Sequence, residues 1–169
     1  MVPSFAVIHN NEILNDHLDN DIMSVGTRMT AFGPITISEK DGRITSLSFD
    51  PEAKVTDDDL DRPFGQLDEY LSGRRRDFDL DLCPEGTDFQ KDVWSSLLKV
   101  PYGRTVSYSE LAKMSGHPNA QRAVGNAVGK NPIPIIIPCH RVIRSDGSIG
   151  GFSLGVDLKK RLLRLEGSL

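Results

Sequence analysis

Cysteine is scarce in this 169-residue chain, which has two, Cys83 and Cys139. Two thiols cannot build the disulfide framework that staples small secreted domains, nor a cysteine-based zinc cluster. No run approaches the roughly 18–20 apolar residues needed to cross a bilayer. No basic stretch followed by an apolar core opens the chain, so no secretory signal is expected and a reducing, cytoplasmic setting is. Tryptophan occurs once. Acidic residues are scarce in one half only: residues 86–169 hold 12 Lys/Arg against 6 Asp/Glu, and residues 1–85 hold 8 against 18. The formal charge of −4 therefore hides a basic half suited to an anionic partner.

What is present centres on Cys139, in Ile135-Ile136-Ile137-Pro138-Cys139-His140-Arg141-Val142. The run predicts a buried apolar strand that stops at the thiol, because Pro138 cannot donate a ladder hydrogen bond. A buried thiol needs no explanation. His140 and Arg141 beside it do, since cations favour the nucleophilic thiolate. Cys83, in Leu82-Cys83-Pro84, has no neighbouring cation and reads as a small buried apolar residue.

Residues 1–26 are weakly patterned and read as a loosely docked extension, and its His9 and His17 fit no common zinc spacing. Residues 27–85 read as a small α/β domain. Ile35 and Ile37, a turn at Asp41-Gly42, then Leu47 and Phe49 predict a hairpin. Asp57, Asp58, Asp59 and Asp61 form an acidic loop, a helix follows over 63–72, and strict alternation predicts a strand over 77–82. Pro84-Glu85-Gly86 marks the boundary where the charge changes sign. Residues 86–169 read as helical. Thr87 with Gln90 and Ser107 with Glu110 are capping-box pairs. Asn119 is an N-cap for a helix from 120 to about 129, so two short helices and a tight turn make a helix-turn-helix. A last helix covers 157–166. Ala120, Ala123, Gly125, Ala127 and Gly129 leave the third of these helices with small residues, either for tight helix packing or for a nucleic-acid groove.

Pro138-Cys139-His140-Arg141-Val142, Asn131-Pro132, Arg122-Ala123-Val124-Gly125, Val106-Ser107-Tyr108 and the Leu165-Glu166-Gly167 ending together resemble the O6-alkylguanine-DNA alkyltransferases. The resemblance covers residues 87–169 and, more weakly, 27–82. It implies an α+β fold: a ribonuclease H-like sheet and helix, then a helical winged-helix or helix-turn-helix domain. It implies single-turnover transfer of an alkyl group from O6-alkylguanine, with O4-alkylthymine left open, to Cys139 of the protein itself. His140 would deprotonate Cys139 through a water, and Glu166 would orient His140. Asn131 would fix the turn beside the thiol, and Tyr108 would donate to the departing guanine. Arg122 would replace the flipped base, with Ala123, Gly125, Ser107 and Tyr108 on the DNA side. Tyr108, Val142, Phe152 and Ser153 would bind the base. Phe152 departs from the family, which often has tyrosine there. The resemblance implies alkylated double-stranded DNA as partner, no cofactor, no metal, no membrane, and a monomer with cooperativity on DNA left open.

Three other readings carry discriminating features. A non-enzymatic lesion binder of this kind would lack the acceptor cysteine, which is present. A transcription regulator would use the helix-turn-helix with the N-terminal half as effector domain. A thiol hydrolase needs a histidine paired directly with Cys139, and adjacent residues on an extended segment point apart.

Overall fold

The computed structural model describes residues 6–8, 22–50, 52 and 59–169. His9, His17, Asp57 and Asp58 lie outside them. The chain divides into two compact units, Met1–Glu85 and Gly86–Leu169.

The first unit holds a five-stranded mixed sheet in the order β1-β5-β4-β3-β2. Its strands are β1 (Val7–Ile8), β2 (Met23–Thr30), β3 (Gly33–Lys40), β4 (Arg43–Phe49) and β5 (Asp81–Leu82). The hairpin expected over Asp41-Gly42 joins β3 to β4, with Ile37 opposite Leu47. Both turn residues adopt positive φ, as the tight hairpin requires. Ile35, Ile37, Ile44 and Leu47 are buried, so alternation placed the core face correctly. Helix α1 (Asp61–Leu71) adds buried Phe64, Leu67, Tyr70 and Leu71.

Two expectations change here. Val7–Ile8 is a strand pairing parallel with β5, and β2 begins at Met23, so part of the supposed 1–26 extension belongs to the sheet. The strand expected over 77–82 shrinks to Asp81–Leu82. Alternation persists, with Phe78, Leu80 and Leu82 buried. The backbone of Asp79, however, is bonded by a side chain instead of a ladder: Gln66 accepts from its N–H at 2.8 Å and donates to its carbonyl at 3.1 Å.

The second unit contains α2 (Asp88–Leu97), β6 (Val106–Ser107), α3 (Tyr108–Met114), α4 (Gln121–Gly129), β7 (Val142–Ile143) and α5 (Val156–Leu165). Both capping boxes form, at Thr87 with Gln90 and at Ser107 with Glu110. α4 starts one residue later than expected, with Ala120 at its N-cap and no side-chain cap, so Asn119 does not cap it. Trp94 of α2 donates its indole N–H to the Ala127 carbonyl at 2.9 Å, holding α4 from behind. β6 pairs parallel with β7, Val106 opposite Val142, which brings the start of α3 beside the segment following Cys139. α5 starts at Val156 with Gly155 as its N-cap, so Asp157 lies inside the first turn.

Candidate active site

The apolar run before Cys139 is not a strand. It makes one isolated bridge, Pro134 to Ile137, and then a single 3₁₀ turn, Cys139–Arg141. Ile135 within it has φ of 74°, an outlier for a β-branched residue and a conformation costing of order 1–3 kcal/mol. Its N–H, the Cys139 N–H and the Asn131 side-chain amide are directed at the Cys139 sulfur. Asn131 also donates to the Ile137 carbonyl at 2.8 Å and accepts from the Ile133 N–H at 3.0 Å. One side chain therefore closes the turn and touches the thiol.

Cys139 is 3% exposed, at the base of a cavity of about 300 Å³. Tyr108, Gly125, Val128, Gly129, Gly151, Phe152 and Ser153 line the rest. Burial pushes the thiol up to about 11, against the weaker pull of Asn131, the backbone donors and the Lys159 charge. The expectation that His140 and Arg141 make a resting thiolate is thus corrected. Arg141 faces Glu166 instead: its Nε donates at 2.9 Å and its Nη2 at 2.8 Å to that carboxylate, and its Nη1 reaches the Val100 carbonyl at 2.6 Å. Activation of this thiol requires a base.

His140 supplies one. It is fully buried, and its Nε2 donates to Glu166 Oε1 at 2.9 Å. Burial holds its basicity below the ordinary value, outweighing Glu166. The ring is neutral near pH 7, with Nε2–H toward Glu166 and the lone pair on Nδ1. Burial acts to raise the Glu166 carboxyl, but hydrogen bonds from His140 and Arg141 and their charges override it, and the group stays well below the usual carboxylate range. The Gly103 N–H also reaches Glu166, at 3.3 Å. A Schellman ending places this carboxylate: Gly167 has φ of 74°, and Ser168 N–H bonds Leu163 O at 2.8 Å. A carboxylate at a helix C-terminus opposes the helix dipole, so Arg141 offsets an unfavourable position.

Tyr108 opens α3 beside the thiol. Burial raises its phenol, with the Cys139 charge adding and Arg144 opposing, so the O–H stays protonated and able to donate. Ser107 is committed to its capping box, its Oγ accepting from Glu110 N–H at 3.1 Å. Arg122 and Ala123 lie exposed on α4, lining an outer hollow with Asn119 and Asn126, apart from the thiol cavity. The small residues of α4 are not explained by tight packing. A Cβ at Gly129 would meet nothing within 4 Å, and one at Gly125 would sit 3.7 Å from the Tyr108 ring, an ordinary contact. Val142, expected at the base, is fully buried in β7 and does not line the cavity. Among the described residues no group of three His, Cys, Asp or Glu could hold a metal, and no helix is long and apolar enough to cross a membrane.

Sequence reasoning missed two residues. Arg141 was read as a thiolate-favouring cation. Its partner lies 25 positions away. Lys159 was grouped with Lys160, Arg161 and Arg164 as a phosphate contact or solvated face, at even odds. It is neither, being 1% exposed beneath the cavity wall. Its Nζ donates to the carbonyls of Val142 at 2.6 Å, Ile149 at 2.7 Å and Gly151 at 3.2 Å. Burial pushes this ammonium down to about 8, with Cys139 pulling the other way and Arg144 adding to the fall.

The fold and site define a two-part protein whose helix-turn-helix unit buries a base-coupled thiol. Residues 88–168 match the 6-O-methylguanine DNA methyltransferase DNA-binding domain, and residues 23–84 match the ribonuclease-like domain of the same proteins. The chain is 42% identical over 148 residues to a methylated-DNA–protein-cysteine methyltransferase of Metallosphaera sedula, covering 85% of this chain and 93% of that one. It is 57% identical over 101 residues to the Methanosarcina barkeri protein of the same name, of which it spans under two thirds, 64%. The Mycobacterium tuberculosis OGT structure in complex with DNA superposes with a TM-score of 0.77 at 39% identity, covering 85% of this chain and 93% of that chain. The chain belongs to the 6-O-methylguanine DNA methyltransferase family.

Proposed function

We propose that this protein repairs DNA by taking an alkyl group from O6 of guanine onto Cys139, once per molecule. The single observation that carries the reading is a buried thiol in a base-sized cavity, backed by the His140–Glu166 pair. An alkylated guanine inside a duplex is out of reach of such a cavity, so the nucleotide is flipped out at a cost of a few kcal/mol, less for a poorly paired base. The exposed small-residue face of α4 suits close approach to a minor groove, with Arg122 filling the vacated stack. The acceptor for the Cys139 proton is His140 Nδ1, through a water, while Glu166 stabilises the charge on the ring. The sulfur attacks the alkyl carbon. An S–C bond forms, the C–O6 bond breaks, and the electron pair stays on the guanine. Tyr108 donates a proton to that base, and the His140 proton restores the phenol. Every group the transfer needs is a side chain of one chain, so the proposal includes no cofactor and a monomeric functional unit. O6-alkylguanine is the substrate proposed, with O4-alkylthymine as the second lesion to try.

Nucleoside analysis of a treated O6-methylguanine duplex tests this. Guanine restored in an amount equal to the protein added, and none with Cys139→Ala, is expected. Restoration beyond one equivalent would overturn the single-turnover reading, and none with the wild type would overturn the reaction.

A further inference from the structure

Lys159 is a buried cation that the reaction as derived does not use. Arg141, the other buried cation, is matched by Glu166. Lys159 meets only neutral oxygens: the three carbonyls already described, with the Phe152 ring 6.0 Å from its Nζ. Those carbonyls are not arbitrary. Val142 follows the Cys139 turn directly, and Gly151 and Phe152 belong to the cavity wall. A single ammonium thus ties the nucleophile's segment to the wall across from it, and its charge is left without a carboxylate.

The groups around it decide where that charge acts. The 3₁₀ turn contributes Cys139, His140 and Arg141, and the end of α5 contributes Glu166. Tyr108 comes from α3, and Arg144 from the loop after β7. Glu166 is shared between His140 and Arg141. Tyr108 is neutral, and Arg144 repels. The one group coupled to Lys159 that can become an anion facing it is Cys139.

We propose that Lys159 is the counter-ion of the Cys139 thiolate and the positioning residue that holds the Gly151–Phe152 wall around it. This rests on the function proposed above and names a further residue for the same step. Proton loss from Cys139 to the His140 relay creates a negative sulfur. The fixed ammonium stabilises that sulfur without moving, which is how preorganised charge lowers a barrier in a water-poor site. When alkylation converts the sulfur to a neutral thioether, the ammonium loses its anion while its three carbonyl partners remain.

The test uses the intact protein and iodoacetamide, which reads thiolate without DNA. Wild type and Lys159→Met are alkylated across pH 6–10, with modification at Cys139 followed by intact mass and folding checked by thermal unfolding. A folded Lys159→Met is expected to react about tenfold or more slowly at pH 7, the change that one unit in thiol acidity brings. The wild-type rate levels off as Lys159 loses its proton, and the variant rate keeps rising with pH. An unchanged rate and profile in a folded variant would overturn the proposal. Should Lys159→Met not fold, the coupling is read from the other side, by ¹⁵N NMR titration of the Lys159 ammonium in wild type and Cys139→Ser. A lower midpoint in Cys139→Ser supports the proposal, and an identical midpoint overturns it. Neither measurement involves methylated DNA, so failure of methyl transfer would sink the function reading separately.

Discussion

At the scale of single residues, the site is a set of buried charges that are stable only in combination. Glu166→Gln leaves the Arg141 guanidinium buried without its carboxylate, and loss of one partner of such a pair costs about 3–5 kcal/mol. Urea unfolding should show that loss, and the double variant Arg141→Met/Glu166→Gln should recover much of it. A single variant as stable as wild type would mean that the pair carries no structural weight. The same groups set the acid limb of stability. The folded His140 binds its proton more weakly than an ordinary histidine of 6.5, and the folded Glu166 more weakly than an ordinary carboxyl of 4.5. In both cases the unfolded chain takes up protons first as pH falls. Their stabilisation is therefore present above the unfolded values and is lost as pH drops through about 6.5 and then about 4.5. Thermal unfolding between pH 8 and 4 should show a falling Tm that begins below neutrality. His140→Gln should remove the first part of that fall.

At the scale of elements, what was legible in the sequence was local. Thr87 with Gln90 and Ser107 with Glu110 needed only three-residue spacing, and both boxes form. Ser107→Ala should cost about 1 kcal/mol in thermal unfolding. Because the cap sets the start of α3 and hence Tyr108, methyl transfer should slow as well. β1 was illegible, since Val7–Ile8 gains its meaning from Asp81–Leu82, far along the chain. The Ile135–Ile137 run has the composition of a strand, but Pro134, Pro138 and the Asn131 side chain take its backbone into a turn. Lys159 sat in a run of four cations within six residues, where only one turns inward. The small residues of α4 were read correctly as unusual, and their open surroundings favour an external surface over packing. Gly125→Ala should raise stability by up to about 1 kcal/mol, the helix propensity gain. It should also weaken binding to duplex DNA. A gain in stability with unchanged DNA affinity would take Gly125 out of the interface.

For the whole molecule, the change in charge sign at Gly86 coincides with the boundary between the two compact units. A basic unit that tracks phosphates predicts affinity for duplex DNA that falls steeply with salt, linear in the logarithm of both. Arg122 is exposed at the start of α4, so Arg122→Ala should leave Tm within the small range of surface substitutions while weakening lesion binding. Fluorescence anisotropy on a methylated duplex would show it, and unaltered affinity would remove Arg122 from the DNA face. The central claim is that Cys139 is a one-time alkyl acceptor. It is tested most directly by the intact mass of the protein after incubation with excess O6-methylguanine duplex, with the modified peptide then sequenced. A gain of one methyl group, located on Cys139 and never exceeded, is the predicted result. An unmodified protein, a methyl on another residue, or more than one methyl per chain would contradict it.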